Sequence, residues 1–156
     1  MKTVNEVINE VLESVGPHIE LYDVNVEIKH CPEAIDDGYV AVSGDFCEDS
    51  DEINVYLITS GNHEVEFDGN PHAISVVRHE IIKTIKHEDV HRTQAAEGED
   101  TTLDVGLSRA EYLMAPTEFE AYTLIDIPMD LEFYGSSHEL DEYLELGAVT
   151  RQQFGV

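Results

Sequence analysis

The sequence predicts an α+β fold with an N-terminal helix, a three-stranded, mostly antiparallel sheet, a long helix carrying the most distinctive motif of the chain, and two further helices. Three observations carry this expectation. Apolar residues recur every three or four positions from Lys2 to Val15 and again from Ile74 to Ile85. Between Leu21 and Thr59 three stretches instead alternate apolar with polar residues, and turn-forming residues separate the stretches.

The first helix presents Val4, Val7, Ile8, Val11, Leu12 and Val15 on one face, and Gly16-Pro17 is expected to end it. Leu21 to Cys31 follows with period two, Tyr22, Val24, Val26 and Ile28 opposing Asp23, Asn25, Glu27 and Lys29. The turn signal Asp36-Asp37-Gly38 opens a second strand, Tyr39 to Phe46, with Val40, Val42 and Gly44 on one side. A third strand, Glu52 to Thr59, sets Ile53, Val55 and Leu57 against Asn54 and Tyr56. Short connections between successive strands favour an antiparallel meander. Gly61 to Pro71 reads as a polar loop, and Pro71 suits the first turn of a helix.

The central helix, Ile74 to Gln94, turns Ile74, Val77, Ile81 and Ile85 toward the sheet and its histidines away from that stripe, toward a cleft. Ala95 to Asp104 reads as a mobile loop, and Arg109 to Met114 carries only a weak pattern. A helix is expected from about Glu118 to Ile127, stopped by Pro128, and a last one from Ser137 to Leu146, capped by a serine. Arg151 to Val156 reads as a loose tail on a single domain spanning 1–156. No internal repeat or low-complexity tract divides the chain.

With 156 residues the chain can bury a core without staples, so Cys31 and Cys47 are expected as unpaired thiols. No basic-apolar leader and no apolar run of about 18 residues is present, which points to the cytoplasm. The 34 acidic residues against 8 basic ones give a formal charge of −26. Such a surface disfavours nucleic acid and anionic membranes and draws in basic peptides or proteins. The acids show no regular spacing that would imitate a row of DNA phosphates.

The motif is His87-Glu88-Asp89-Val90-His91, an HExxH on a predicted helix. Residues four apart lie one above the other, so His87 and His91 can offer two imidazole nitrogens to one metal ion. Glu88 beside them can accept a proton from a metal-activated water. A catalytic zinc usually takes three protein ligands, and the acidic stretch Pro116-Thr-Glu-Phe-Glu-Ala-Tyr122 is the best source of the third. Glu118 and Glu120 stand about 200° apart on a helix, so only one of them can face the histidines, and the pattern leaves the choice open. Tyr112, Tyr122 and Arg109 have the chemistry to stabilise an oxyanion. His79-Glu-Ile-Ile-Lys83 imitates the motif without a second imidazole, and His79 is expected to be a solvated helix residue. His18, His30, His63, His72 and His138 receive no role.

A helix, a short sheet, an HExxH helix and a downstream helical glutamate together resemble the zincin-like metallopeptidases in their gluzincin arrangement. TIKHEDVHRTQ followed by PTEFEAY is more narrowly similar to small metallopeptidase-like proteins of bacteriophages, over roughly Glu52 to Ile127. That resemblance implies a zinc ion held by His87, His91 and Glu120, with Glu88 as general base for peptide hydrolysis. Glu118 would then stand behind the ligands or serve as a charge at the helix start. Asp89, Arg92 and Thr93 depart from the family pattern by making the surroundings of the histidines polar. The alternative expectation is a non-catalytic acidic protein of this fold that binds a basic host partner.

Overall fold

The computed structural model describes residues 2–33, 40–60, 66–67, 71–103 and 105–156. The expected turn at Asp36-Asp37-Gly38 and most of the Gly61–Pro71 loop lie outside these residues. The chain is α+β and forms two compact units, Met1–Glu88 and Asp89–Val156. No helix among the described residues is long and apolar enough to cross a membrane.

The first unit opens with a two-residue strand β1 (Lys2–Thr3), followed by helix α1 (Val4–Ile19) and strands β2 (Asn25–Glu33), β3 (Val40–Cys47) and β4 (Glu52–Ser60). Helix α1 runs past Gly16-Pro17 instead of ending there, and a Glu20 N–H to Gly16 carbonyl bond of 3.2 Å closes it. Proline already holds a helical φ, so within the last turn it removes one hydrogen bond without halting the chain. Strand β5 (Glu66–Phe67) pairs antiparallel with β1.

The three-stranded sheet is not a meander. Its order is β2-β4-β3, with β4 central, antiparallel to β3 and parallel to β2. Ile53, Val55 and Leu57 supply the apolar set most in need of burial, and the middle position gives it to them: all three are fully buried. On the opposite face Asp45 accepts hydrogen bonds from Asn54 Nδ2 at 2.9 Å and Tyr56 Oη at 2.8 Å. Cys47 is a free, half-buried thiol, and the side chain of Cys31 lies outside the description.

Helix α2 (Pro71–Ala96) is longer than its sequence pattern and starts at Pro71 as expected. Val77, Ile81 and Ile85 are buried, and so is a second row, His79, Lys83, His87 and His91. These four stand at intervals of four, which is one line along a helix. His79 is therefore a buried member of that line, not a solvated residue. Lys83 answers its own burial with a 2.9 Å ion pair to Glu80.

Strand β3 lies close to α2 because Gly44 has no side chain. A Cβ there would stand 2.5 Å from Thr84 Cγ2, 2.9 Å from the Asn54 carbonyl oxygen and 3.4 Å from Glu88 Cγ. The first two contacts involve a branched carbon and a backbone atom, neither of which yields cheaply. Gly44→Ala is expected to destabilise the fold by about 1–3 kcal/mol, the usual cost of overpacking. A lowered denaturant midpoint at unchanged slope would display it.

The second unit takes up the end of α2 and then helices α3 (Arg109–Met114), α4 (Pro116–Ala121), a π-helical turn (Tyr122–Asp126), α5 (Ile127–Tyr134) and α6 (His138–Glu145). Helix α3 forms where the apolar pattern is weak, because a capping box closes it. The Glu111 N–H donates to Ser108 Oγ, and the Ser108 N–H to Glu111 Oε1, both at 3.1 Å. The hydrogen bonds from Ser108 hold the Glu111 carboxyl below its ordinary range.

Pro128 does not stop the helix begun at Pro116. The turn before it widens to π geometry, with the Ile127 N–H reaching the Tyr122 carbonyl, and α5 continues through the proline. A proline ring crowds the carbonyl four residues back, and one wide turn relieves that crowding. Ser137 caps α6, and Gly135 in the left-handed region ends α5. Leu113, Ile127, Leu140, Tyr143 and Val149 form the core of this unit, with Phe119, Leu131 and Leu144 against it. The expected loose tail is instead a 3₁₀ turn (Arg151–Phe154) that brings Phe154 onto that core.

Candidate metal centre

The division between the units falls within α2, immediately after Glu88. His87, Glu88 and His91 therefore stand on one unbroken helix, which sets their mutual placement. All three are buried, to between 6 and 8% exposure, where the sequence suggested histidines turned toward a cleft. Their burial follows from the line of four described above: the helix is covered along that row as well as along its apolar stripe.

The carboxylate beside the histidines is Glu118, not Glu120. Glu118 Oε1 lies 2.8 Å from His91 Nε2, and both side chains are buried. His87 stands one turn before His91 on the same helix and can offer a second imidazole on the face that meets Glu118 through His91. Helix α4 explains the choice. Phe119 packs on the core ring of Tyr143 at 5.3 Å between centroids, and this rotation buries Thr117, Glu118 and Ala121 and leaves Glu120 exposed. Leu124, the other apolar residue that could have oriented the segment, is exposed.

A second set of contacts holds these donors. Tyr112 Oη donates to Glu118 Oε2 at 3.1 Å and lies 3.2 Å from Tyr122 Oη. Burial raises the Tyr112 hydroxyl far above its ordinary range and pushes Tyr122 up to about 12, so both remain proton donors across neutral pH. The sequence offered both as oxyanion donors. In the structure Tyr112 is engaged with Glu118, and Arg109 is bound to Glu142 through two bonds of 2.9 and 3.0 Å. That hydrogen-bonded pair raises the Arg109 guanidinium above its already high range and lowers Glu142.

Gln94, to which the sequence gave no role, is almost fully buried and touches three partners. Its Oε1 lies 2.8 Å from His91 Nδ1, and its Nε2 donates to the Thr117 carbonyl and to Glu120 Oε1, both at 3.0 Å. The signal was present, since Gln94 stands three positions after His91 on the same helical face.

The donor set suits zinc. Imidazole and carboxylate are borderline ligands that zinc accepts readily, and two imidazoles with one carboxylate is a set used by catalytic zinc. Burial of a carboxylate 2.8 Å from an imidazole nitrogen demands positive charge between them, supplied by a proton or by a cation. Two tetrahedral ligands at ordinary zinc distances stand about 3.3 Å apart, so His91 and Glu118 need separate by only about half an ångström. Asp89 and Arg92 form a partly exposed pair at 3.7 Å, worth less than about 1 kcal/mol, and Thr93 Oγ1 bonds back to the Asp89 carbonyl. Thr93 is thus satisfied on the helix itself, whereas Asp89 Oδ1 makes no hydrogen bond among the described residues.

No protein-family profile, no curated protein and no solved structure matches the chain.

Proposed function

We propose that the protein is a zinc-dependent peptidase of zincin-like fold, in which His87, His91 and Glu118 hold the ion and Glu88 is the general base. The observation that carries this reading is the buried contact of Glu118 with His91, on a helix that bears His87 one turn earlier and Glu88 between the two histidines. Zinc bound there supplies Lewis-acid chemistry, acidifying a water and polarising a peptide carbonyl.

The remaining work falls to the side chains. Glu88 accepts the proton of the attacking water at its carboxylate and passes it to the departing amine nitrogen. Glu88 is itself buried, which limits the positions its carboxylate can take. Tyr112 donates to the second oxygen of Glu118, so the first oxygen, beside His91, is the one that would hold the metal. The formal charge of −26 favours basic peptides or proteins as substrates, and the proposal places the reaction in the cytoplasm.

The direct test is elemental analysis of the purified protein together with a digest of a peptide library rich in lysine and arginine. About one zinc per chain is expected, with cleavage that a chelator stops and added zinc restores. A chain that takes up no zinc on reconstitution would sink the proposal. The acidic charge also supports a second reading, a non-catalytic protein that binds a basic host partner. Salt-sensitive binding that persists in Glu88→Gln, without any cleavage, would favour that one.

A further inference from the structure

We infer that Gln94 is the positioning residue of the site, holding the His91 ring so that Nδ1 carries a proton and Nε2 alone faces the ion, with Glu120 as its anchor. The inference rests on the zinc reading above.

The orientation of the amide follows from its partners. Nε2 of Gln94 lies 3.0 Å from both the Thr117 carbonyl and Glu120 Oε1, two acceptors that only an N–H group can meet. A flipped amide would set its oxygen against two other oxygens. Gln94 Oε1 must therefore be the atom 2.8 Å from His91 Nδ1, and Nδ1 must donate. When a cation supplies the charge beside Glu118, the ring is a neutral imidazole with one N–H, so the lone pair is on Nε2, the atom next to Glu118. One buried amide thus settles which nitrogen can ligate, and its two donated bonds tie the His91 end of α2 to α4, the helix that brings Glu118. Glu120, exposed and outside the ligand group, acts on the site through Gln94.

Partners of this kind orient a metal-binding imidazole and raise its basicity, and losing one typically weakens metal binding about 10–100-fold. Zinc affinity is to be measured by chelator competition in wild type, Gln94→Ala and Glu120→Gln, alongside ¹⁵N spectra of the His91 ring in the zinc-loaded and metal-free wild type. Gln94→Ala should bind zinc about 10–100-fold more weakly. Glu120→Gln keeps an acceptor for Gln94 and should stay within about threefold of wild type. The wild-type ring should show a protonated Nδ1 in both states, and this readout stands even if Gln94→Ala does not fold.

An unprotonated Nδ1 in either wild-type form would overturn the inference, as would a folded Gln94→Ala with unchanged affinity. A wild type that takes up no zinc defeats the metal reading, and a protonated Nδ1 in that metal-free protein would still support the orienting contact.

Discussion

Glu118→Gln is expected to remove tight zinc binding, whereas Glu120→Gln, two residues away and equally conservative, should leave it nearly intact. Both changes delete one negative charge and keep the shape of the side chain, so a general effect of charge on cation affinity would move both alike. The structure separates them. Glu118 Oε1 stands 2.8 Å from His91 Nε2 inside the buried group, and Glu120 reaches only Gln94 Nε2. An amide oxygen is a poor substitute for a carboxylate as a zinc ligand, and with two imidazoles left the loss should exceed about 1000-fold, beyond the 10–100-fold typical of an outer partner. Chelator competition measures both affinities on one scale. Equal losses, or a greater loss for Glu120→Gln, would return the third ligand to Glu120.

The sequence pattern left that choice open for a physical reason. Glu118 and Glu120 lie on opposite sides of a short helix, so their roles follow from its rotation, and the rotation is set by Phe119 packing against Tyr143, a residue of α6 distant in sequence. Periodicity reports which residues are apolar and not which partner they find. The same reason explains the sheet. Each of the three strands was legible from its alternation to within a few residues, but alternation does not state neighbours. The central place of β4 reflects its having the apolar set most in need of cover.

Pro128 would stop an ideal α-helix, and the π turn at Tyr122–Asp126, which no apolar pattern marks, supplies the extra room. Helix α3 was missed where apolar pattern was weighed alone, although the Ser108 to Glu111 spacing of a capping box was in plain view. His87, Glu88 and His91 were the most legible part of the site, since their geometry is a property of one helix. Gln94 belongs to that helix as well, but its meaning depends on the Thr117 carbonyl, a backbone atom that no sequence motif marks.

Glu88→Gln separates metal binding from turnover and should retain zinc while losing nearly all peptide cleavage. Glu88 shares the helix with the two histidines but is not one of the three proposed ligands, so replacing its carboxylate by an amide leaves the donor set whole. The amide is the same size as the carboxylate, so the fold should be little affected. What disappears is the ability to accept a proton. A positioned general base contributes about 10²–10⁴-fold, and no other side chain of the ligand group is free to replace it, because the imidazoles and Glu118 are committed as ligands. Cleavage of a susceptible peptide should therefore fall by at least about 100-fold in kcat with KM little changed, since the interaction lost acts on the proton in flight and not on the bound substrate. Zinc content measured on the same preparations should remain at the wild-type level. Retained cleavage with retained zinc would assign the proton transfer to another residue, and loss of zinc would make Glu88 a ligand.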